Sequence, residues 1–286
     1  MLLTDALTQY VQIRLVGGSP KTKQRMETAI GWYGEFLNRA PSISDLTDVG
    51  ISDFGRWRLE EGKARDTVNQ NQSKLLALWR FLADDNIVAR RPKVRPVACA
   101  EKVPKAWTEE ELIKLYAALR TTEGMVGPVP AALWWEALHN VLWNTGERIE
   151  AIFSCKWADL DISGCHLYVR AQYRKCAKRE IMFKLLPETV RQIEQFPLRK
   201  GVILHWPQSR SMLYRKYTRI LERAGLPSGR DSKFHRIRKS VASHIKAAGG
   251  DATAAMDHSS SAVTRAYIDL RICPPPRPCE LLFKIA

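Results

Sequence analysis

The chain has 286 residues, 45% hydrophobic and 26% charged; these values exclude disordered, collagen-like and low-complexity classes and suit two domains. Lys and Arg total 45 against 30 Asp and Glu, a net charge of +15. A folded protein with that excess repels itself unless an anion shares the load, so nucleic acid and an anionic membrane surface lead the candidate partners. The membrane reading fails, because no run approaches the ~20 apolar residues of a bilayer span. The first ten residues carry Asp5 and no basic leader, which reads as a helix start rather than an export signal. Cys99, Cys155, Cys165, Cys176, Cys273 and Cys279 are scattered, with no CxxC pair or zinc spacing. No metal and no cofactor are expected, and with no export signal the thiols read as reduced and cytoplasmic.

In chain order, Thr4 is placed to cap a first helix carrying Leu7, Tyr10 and Val11. Ser19 followed by Pro20 is a cap with proline at the first helical position. Met26, Ile30, Tyr33 and Leu37 then mark one face of a helix. A shorter helix runs through Ile51, Phe54 and Trp57, and Leu75, Leu78, Trp79 and Leu82 form another apolar stripe. Four or five such helices make a small bundle. Pro92, Pro96 and Pro104 lie in a basic segment where regular structure breaks. The expected organisation is a helical domain over 1–89, a linker over 90–105, and a second domain over 106–286 with a tail from about 271. With the helical half starting at residue 1, a two-domain architecture without a further N-terminal domain is expected.

The second half opens on a capping box, Thr108 to Glu111, followed by Leu112, Leu115, Tyr116 and Leu119 at helical spacing. A helix over roughly 130–144 follows. His166–Arg170 and Arg179–Leu185 favour β structure around a basic turn and predict a hairpin. Val202–Leu204 reads as a short strand. One further helix carries Leu213, Tyr217, Ile220 and Ala224 inward, and another starts near Phe234 and stops at Gly249-Gly250. Trp134, Trp135 and Trp143 read as core, and His244, about 240° around the helix from Arg238, as structural.

Four segments of this half carry chemistry together: Thr145-Gly146-Glu147-Arg148-Ile149, the basic turn Arg174–Arg179, His235-Arg236-Ile237-Arg238, and Asp257-His258-Ser259 with Tyr267 beyond it. Singly, each has an ordinary reading as a polar helix end, a solvated hairpin tip or a core aromatic. In this order and at these distances they resemble the tyrosine recombinases, or phage-type integrases, in the two-domain Xer-like form, over most of 104–270. The resemblance implies catalytic roles for Arg148, Lys175, His235, Arg238, His258 and Tyr267, with Lys178 as the alternative lysine. It implies a mainly α fold (α+β): a helical, SAM-like core-binding domain and a mixed catalytic domain with a small antiparallel sheet, closing as a C-shaped clamp on DNA. It also implies double-stranded DNA as partner, a homodimer on one site and a homotetramer in the synapse, and exchange of a C-terminal segment between subunits.

The chemistry is consistent with that assignment. Cleaving a phosphodiester without a metal needs a nucleophile, donors for the phosphorane oxygens and an acid for the leaving 5′ oxygen. Two arginine forks, Arg148 and Arg238, can grip the non-bridging oxygens, and His258 can donate a third bond. His235, three residues before Arg238, shares its helix face, and in the family it helps deprotonate the tyrosine. A hairpin lysine serves as acid, and Tyr267 attacks to leave a 3′-phosphotyrosyl bond. On one continuous helix, nine residues would put His258 and Tyr267 on opposite faces; the Ser259-Ser260-Ser261 run offers the cap and break that a shared site needs. Arg174, Lys178, Arg179, Arg215, Arg219, Lys233, Arg236 and Lys239 are the expected DNA contacts.

The chain departs from the family pattern in places. Asp257 stands where the family has Gly, and is expected to set a carboxylate beside the phosphate. Ala151 stands where an acid usually follows the first Arg by three, with Glu150 one step early. Phe183 or Lys184 replaces the usual hairpin Pro. The rival readings are a type IB topoisomerase-like enzyme and a catalytically degenerate DNA-binding protein. Residues 199–239 hold twelve basic and two acidic residues, and 170–184 hold six and one, so these segments contribute +10 and +5, equal to the whole net charge. That clustering predicts a backbone-gripping surface with steep salt dependence.

Overall fold

The computed structural model describes residues 1–18, 20–100, 103–174 and 179–275. The chain divides into two compact units, Met1–Glu101 and Lys102–Ala286. Among the described residues no helix is long and apolar enough to cross a membrane.

The first unit is helical: α1 (Leu3–Arg14), α2 (Pro20–Leu37), α3 (Asp48–Glu60) and α4 (Arg65–Asp84). Their apolar stripes meet in one core, with Leu3, Leu7, Met26, Ile30, Tyr33, Ile51, Phe54, Leu75, Leu78, Trp79 and Leu82 buried. The aromatics lock edge to face, Tyr33 on Phe54 at 5.3 Å and Tyr10 on Phe81 at 5.3 Å. Thr47, rather than a residue of the apolar stripe, caps α3 by accepting from the Gly50 amide at 2.9 Å. Gly55 sits where a Cβ would come within 2.2 Å of Gln72 Nε2. Its absence lets α3 and α4 close until Gln72 donates to the Ile51 carbonyl at 2.9 Å inside the core. Trp79 Nε1 donates to Arg90 O at 2.8 Å, pinning the chain just after α4.

Two expectations need correction here and one falls outside view. Thr4 lies inside α1, not at its cap; Leu2 is the cap residue, because its extended backbone pairs with Ser42 while its amide donates to Asp5 at 3.2 Å. Val202–Leu204 is not a strand. Only Val202 bridges Lys156, since a turn begins at Ile203, whose amide is taken by Cys155 O at 2.9 Å. Ser19 lies outside the described residues, although Pro20 does open α2.

The second unit is built around α6 (Ala131–Thr145), whose Trp134, Trp135, Leu138, His139, Val141 and Leu142 are all buried. α5 (Glu109–Arg120) packs on it behind the Thr108–Glu111 capping box, and a small hairpin, β1 (Met125–Val126) with β2 (Val129–Pro130), leads into it. After α7 (Ile149–Ile152) comes a three-stranded antiparallel sheet of β3 (Leu160–Asp161), β4 (His166–Val169) and β5 (Ile181–Lys184), in that order. Leu167 pairs with Phe183 and Val169 with Ile181, so alternate residues face the core. α8 (Pro187–Glu194), α9 (Arg210–Arg223), α10 (Phe234–Ala247), α11 (Ala252–Ala255) and α12 (Ser261–Arg265) complete the described helices. Tyr217 of α9 stacks on Phe234 of α10 at 4.3 Å, and Trp135 of α6 stacks on Tyr217 at 5.8 Å. This aromatic wall fixes the N-terminal end of α10, where the functional side chains emerge.

Candidate active site

Each functional side chain is delivered by a break in helical structure. Gly146 ends α6 in the left-handed region at φ 58°, and a Cβ there would meet Met256 Sδ at 2.9 Å. Only glycine allows both the turn and the approach. The chain then swings so that Arg148 caps α7, its side chain 41% exposed. His235 and Arg238 leave the first two turns of α10. His258 follows Asp257, which holds a φ of 48°, a left-handed conformation that aspartate tolerates better than most side chains.

Tyr267 lies two residues beyond α12, which Ser260 caps by accepting from the Val263 amide. The serine run therefore does break the helix between His258 and Tyr267. α10 holds the returning segment: Ser243 Oγ donates to Tyr267 O at 3.1 Å and accepts from the Asp269 amide at 2.9 Å.

Five of the six expected catalytic residues converge. The Tyr267 ring lies 4.6 Å from the His258 ring and 5.2 Å from the His235 ring, between centroids. The Arg238 guanidinium sits 5.6 Å from the Tyr267 centroid and donates to His258 Nε2 at 3.0 Å. Arg148, His235 and Arg238 line one cleft of about 570 Å³ with Glu147, Tyr214 and Lys233. Arg238 is itself 3% exposed. It donates to Gly146 O at 2.6 Å and Met256 O at 3.1 Å, while its Nε has no partner among the described residues. Lys175 and Lys178 lie outside the described residues.

The electrostatics favour an anion. His235 is exposed on α10, yet the atoms packed around it partly desolvate the ring. With Lys239, Arg238, Arg148 and His258 also opposing its charge, its pKa falls to about 4. His258 is likewise pushed down to about 4 by burial and then by Arg238 and Arg148, with Asp257 and Glu147 acting the other way. Both imidazoles are neutral at pH 7 and stand among cations. Among the described residues no group of three or more His, Cys, Asp or Glu is placed to hold a metal ion.

Glu147 was not visible as a functional residue in the sequence, because a charge beside Arg148 reads as a surface pair. It is 2% exposed. Its Oε1 accepts from the Arg148 amide at 2.7 Å and lies 3.7 Å from Nη1 of both Arg148 and Arg238. Its Oε2 accepts from Arg174 Nε at 2.8 Å. Glu150, by contrast, is exposed and pairs with Arg210 at 3.0 Å, and Ala151 is core.

Several expected DNA contacts move. Arg174 is 7% exposed and occupied by Glu147 and by Asp257 at 2.8 Å, so it offers nothing to solvent. Arg236 is 3% exposed, lies 3.5 Å over the Trp107 ring and donates to Ala106 O and Glu111. One residue past His235 and two before Arg238, it is turned about 100° from the one and about 200° from the other around α10, onto the inward face. Asp257 does not lie free beside the phosphate site: Arg174 and Arg179 both bind it, and hydrogen bonds from Arg179 and then Arg174 hold its carboxyl below the usual range. Lys233 is half-buried, donating to Thr218 Oγ1 and Ser228 O, and burial lowers its pKa. Arg179, Arg215 and Arg219 are exposed and Lys239 half-exposed. His244 Nε2 donates to Trp107 O at 3.0 Å, away from the cluster.

The profile of the phage integrase family matches residues 105–272 of this chain. The chain is 26% identical over 179 residues to tyrosine recombinase XerC of Oceanobacillus iheyensis, covering 61% of this chain and 56% of that protein. It thus spans just over half of that relative's length. It is 20% identical to tyrosine recombinase XerD of Listeria monocytogenes over 93% of this chain and 94% of that protein. Its fold is similar to that of a lambda integrase dimer bound to a COC′ core site, with TM-score 0.74 and 20% identity over 97% of this chain and 99% of that one. A lambda integrase tetramer bound to a Holliday junction matches with TM-score 0.73 and 21% identity over 95% and 78%.

Proposed function

The chain belongs to the phage integrase family, and from that premise we propose that it is a site-specific recombinase that cuts and rejoins DNA through a 3′-phosphotyrosyl intermediate. The observation that carries the proposal is the convergence of Tyr267 with His258 at 4.6 Å, His235 at 5.2 Å and Arg238 at 5.6 Å. An isolated tyrosine makes a poor nucleophile, and here it stands among cations and two neutral imidazoles.

Tyr267 Oη attacks the scissile phosphorus while neutral His235 accepts the phenolic proton. Arg148 and Arg238, which line the same cleft, bind the non-bridging oxygens. His258 adds a bond as negative charge grows. The P–O5′ bond breaks, and the leaving oxygen takes a proton from Lys175 or Lys178. The phosphotyrosyl bond keeps the energy of the broken one, so a 5′ hydroxyl of a second strand can reverse the step without a nucleotide. Double-stranded DNA is the substrate, with two protomers per duplex and four in the synapse. The tetramer seen for lambda integrase on a Holliday junction supports this assembly.

The test is incubation with nicked suicide duplexes and separation on a denaturing gel. Wild type is expected to form a covalent adduct and Tyr267→Phe none. An adduct that survives Tyr267→Phe would remove Tyr267 as nucleophile, and intact binding without any adduct would favour a degenerate DNA-binding protein. A two-site recombination assay run beside supercoil relaxation separates recombinase from topoisomerase.

A further inference from the structure

We propose that Arg174 is a positioning residue: by taking the charge of Glu147 and Asp257, it leaves Arg148 and Arg238 free to bind the scissile phosphate. The inference rests on the reading of Arg148 and Arg238 as the phosphate-binding forks.

Glu147 is a buried carboxylate placed against both forks. A buried carboxylate must be paired, because its desolvation otherwise costs several kcal/mol. Without another cation it would draw Arg148 Nη1 and Arg238 Nη1, each now 3.7 Å away, and cancel their charge. The shorter and better aligned bond goes instead to Arg174, from Nε to Oε2 at 2.8 Å. Arg174 is buried with it, so no water competes. The same guanidinium turns Nη1 to Asp257 Oδ2 at 2.8 Å, and Arg179 Nη2 takes Oδ1 at 2.5 Å.

The count of charges closes: Arg174 and Arg179 match Glu147 and Asp257, and the positive charge of Arg148 and Arg238 is left over. The same bridge fixes geometry. Glu147 holds the Arg148 amide at 2.7 Å, and Asp257 directly precedes His258. One buried cation thereby ties the start of α7 to the turn that carries His258.

The test measures adduct formation on nicked duplexes with either a natural scissile phosphate or a methylphosphonate. A methylphosphonate has one charged oxygen fewer, so it depends less on the forks. Wild type, Arg148→Ala, Arg174→Met, Arg174→Lys, Glu147→Gln and the Glu147→Gln/Arg174→Met double variant are compared, with thermal melts to confirm folding. Arg174→Met is expected to slow the natural substrate by ~100-fold, the scale of losing one transition-state donor, and to lose most of that defect on the methylphosphonate. Removing the carboxylate as well should recover about tenfold, a coupling that packing loss alone does not produce. Arg174→Lys keeps the cation but loses the fork that spans Glu147 and Asp257, so its rate should fall between those of Arg174→Met and wild type.

Equal defects on both substrates, additive loss in the double variant, or a lysine variant as slow as the methionine one would each overturn the proposal. If Arg148→Ala is relieved on the methylphosphonate and Arg174→Met is not, only this proposal falls. If Arg148→Ala is not relieved either, the reading of the forks falls and takes the proposal with it.

Discussion

Arg238 Nη2 lies 3.0 Å from Nε2 of His258. A guanidinium can only donate, so Nε2 is the acceptor and the ring proton sits on Nδ1, 3.0 Å from Thr264 Oγ1. In the free protein His258 therefore cannot donate to a phosphate through Nε2. It must gain a proton, and an anion bound between the forks supplies the reason, since it offsets Arg238 and Arg148, which add to burial in holding the pKa near 4. The complex then binds more protons than the free protein, and affinity for DNA rises as pH falls from about 6.5 toward 4. Calorimetry in buffers of different ionisation enthalpy, on a Tyr267→Phe background, should show proton uptake on binding at pH 5–6. His258→Asn should remove a large part of it. Uptake unchanged by His258→Asn would assign the titration elsewhere.

Gly146→Ala should damage activity more than its single methyl implies. The φ of 58° is unfavourable for alanine by ~1 kcal/mol or more. The new Cβ would also press on Met256 Sδ at 2.9 Å and Val241 Cγ1 at 3.1 Å. Relief comes by swinging the buried Met256 thioether or by shifting the Arg148 turn or the Met256-Asp257-His258 segment. The expected result is a loss of about 2 kcal/mol in a denaturant titration together with a fall in adduct formation of at least tenfold, since both moving segments carry site residues. Full activity at reduced stability would show that the turn relaxes elsewhere.

What was legible in the sequence followed from local rules. His235 and Arg238 share a helix turn, the serines after His258 stop a helix, and Pro20 opens one. These relations span three to nine residues and need no knowledge of the fold. The unreadable part is long-range. Arg174 meets Glu147 across 27 residues and Asp257 across 83. Arg174 and Arg179 look alike in a basic turn, yet one is buried and the other exposed. Composition counts charges without saying which ones cancel inside the protein, and so the expected DNA surface included two arginines that never reach it. Thr4 failed for a related reason: a cap depends on the partner of the preceding backbone, and Ser42 supplies that from a distant loop.

Arg236 and Arg219 separate the two kinds of basic residue. Arg236 is buried over Trp107 at 3.5 Å and bonded to Ala106 O and Glu111. Arg236→Ala leaves Glu111 and the carbonyl short of a donor and should cost about 3 kcal/mol, seen as a lowered urea midpoint. Its effect on the salt dependence of DNA binding should be small. Arg219 is exposed on α9. Arg219→Ala should leave stability within ~0.5 kcal/mol and reduce the slope of log affinity against log salt by about one. The same is expected at Arg215. A slope unchanged at both would move the DNA-facing surface away from α9.

His139 makes the second unit sensitive to acid. It is 1% exposed within the wall of Trp135, Tyr217 and Phe234. Its Nδ1 meets Trp135 O at 2.7 Å and its Nε2 has no partner among the described residues. Burial is the larger influence and lowers its pKa to about 4, with the Trp135 carbonyl opposing. The unfolded chain, near 6.5, takes up the proton first. Stability conferred by the neutral ring is therefore complete above pH 6.5 and is lost as pH falls toward 4, by up to about 3 kcal/mol. Replacing His139 with Phe, which fits the aromatic surroundings and cannot titrate, should flatten that part of the stability curve. The measurement is the urea midpoint of wild type and His139→Phe at intervals between pH 4 and 7.5. The two should diverge below pH 6.5, with the variant the more stable at pH 5. Parallel curves would mean that the ring opens to water before it charges.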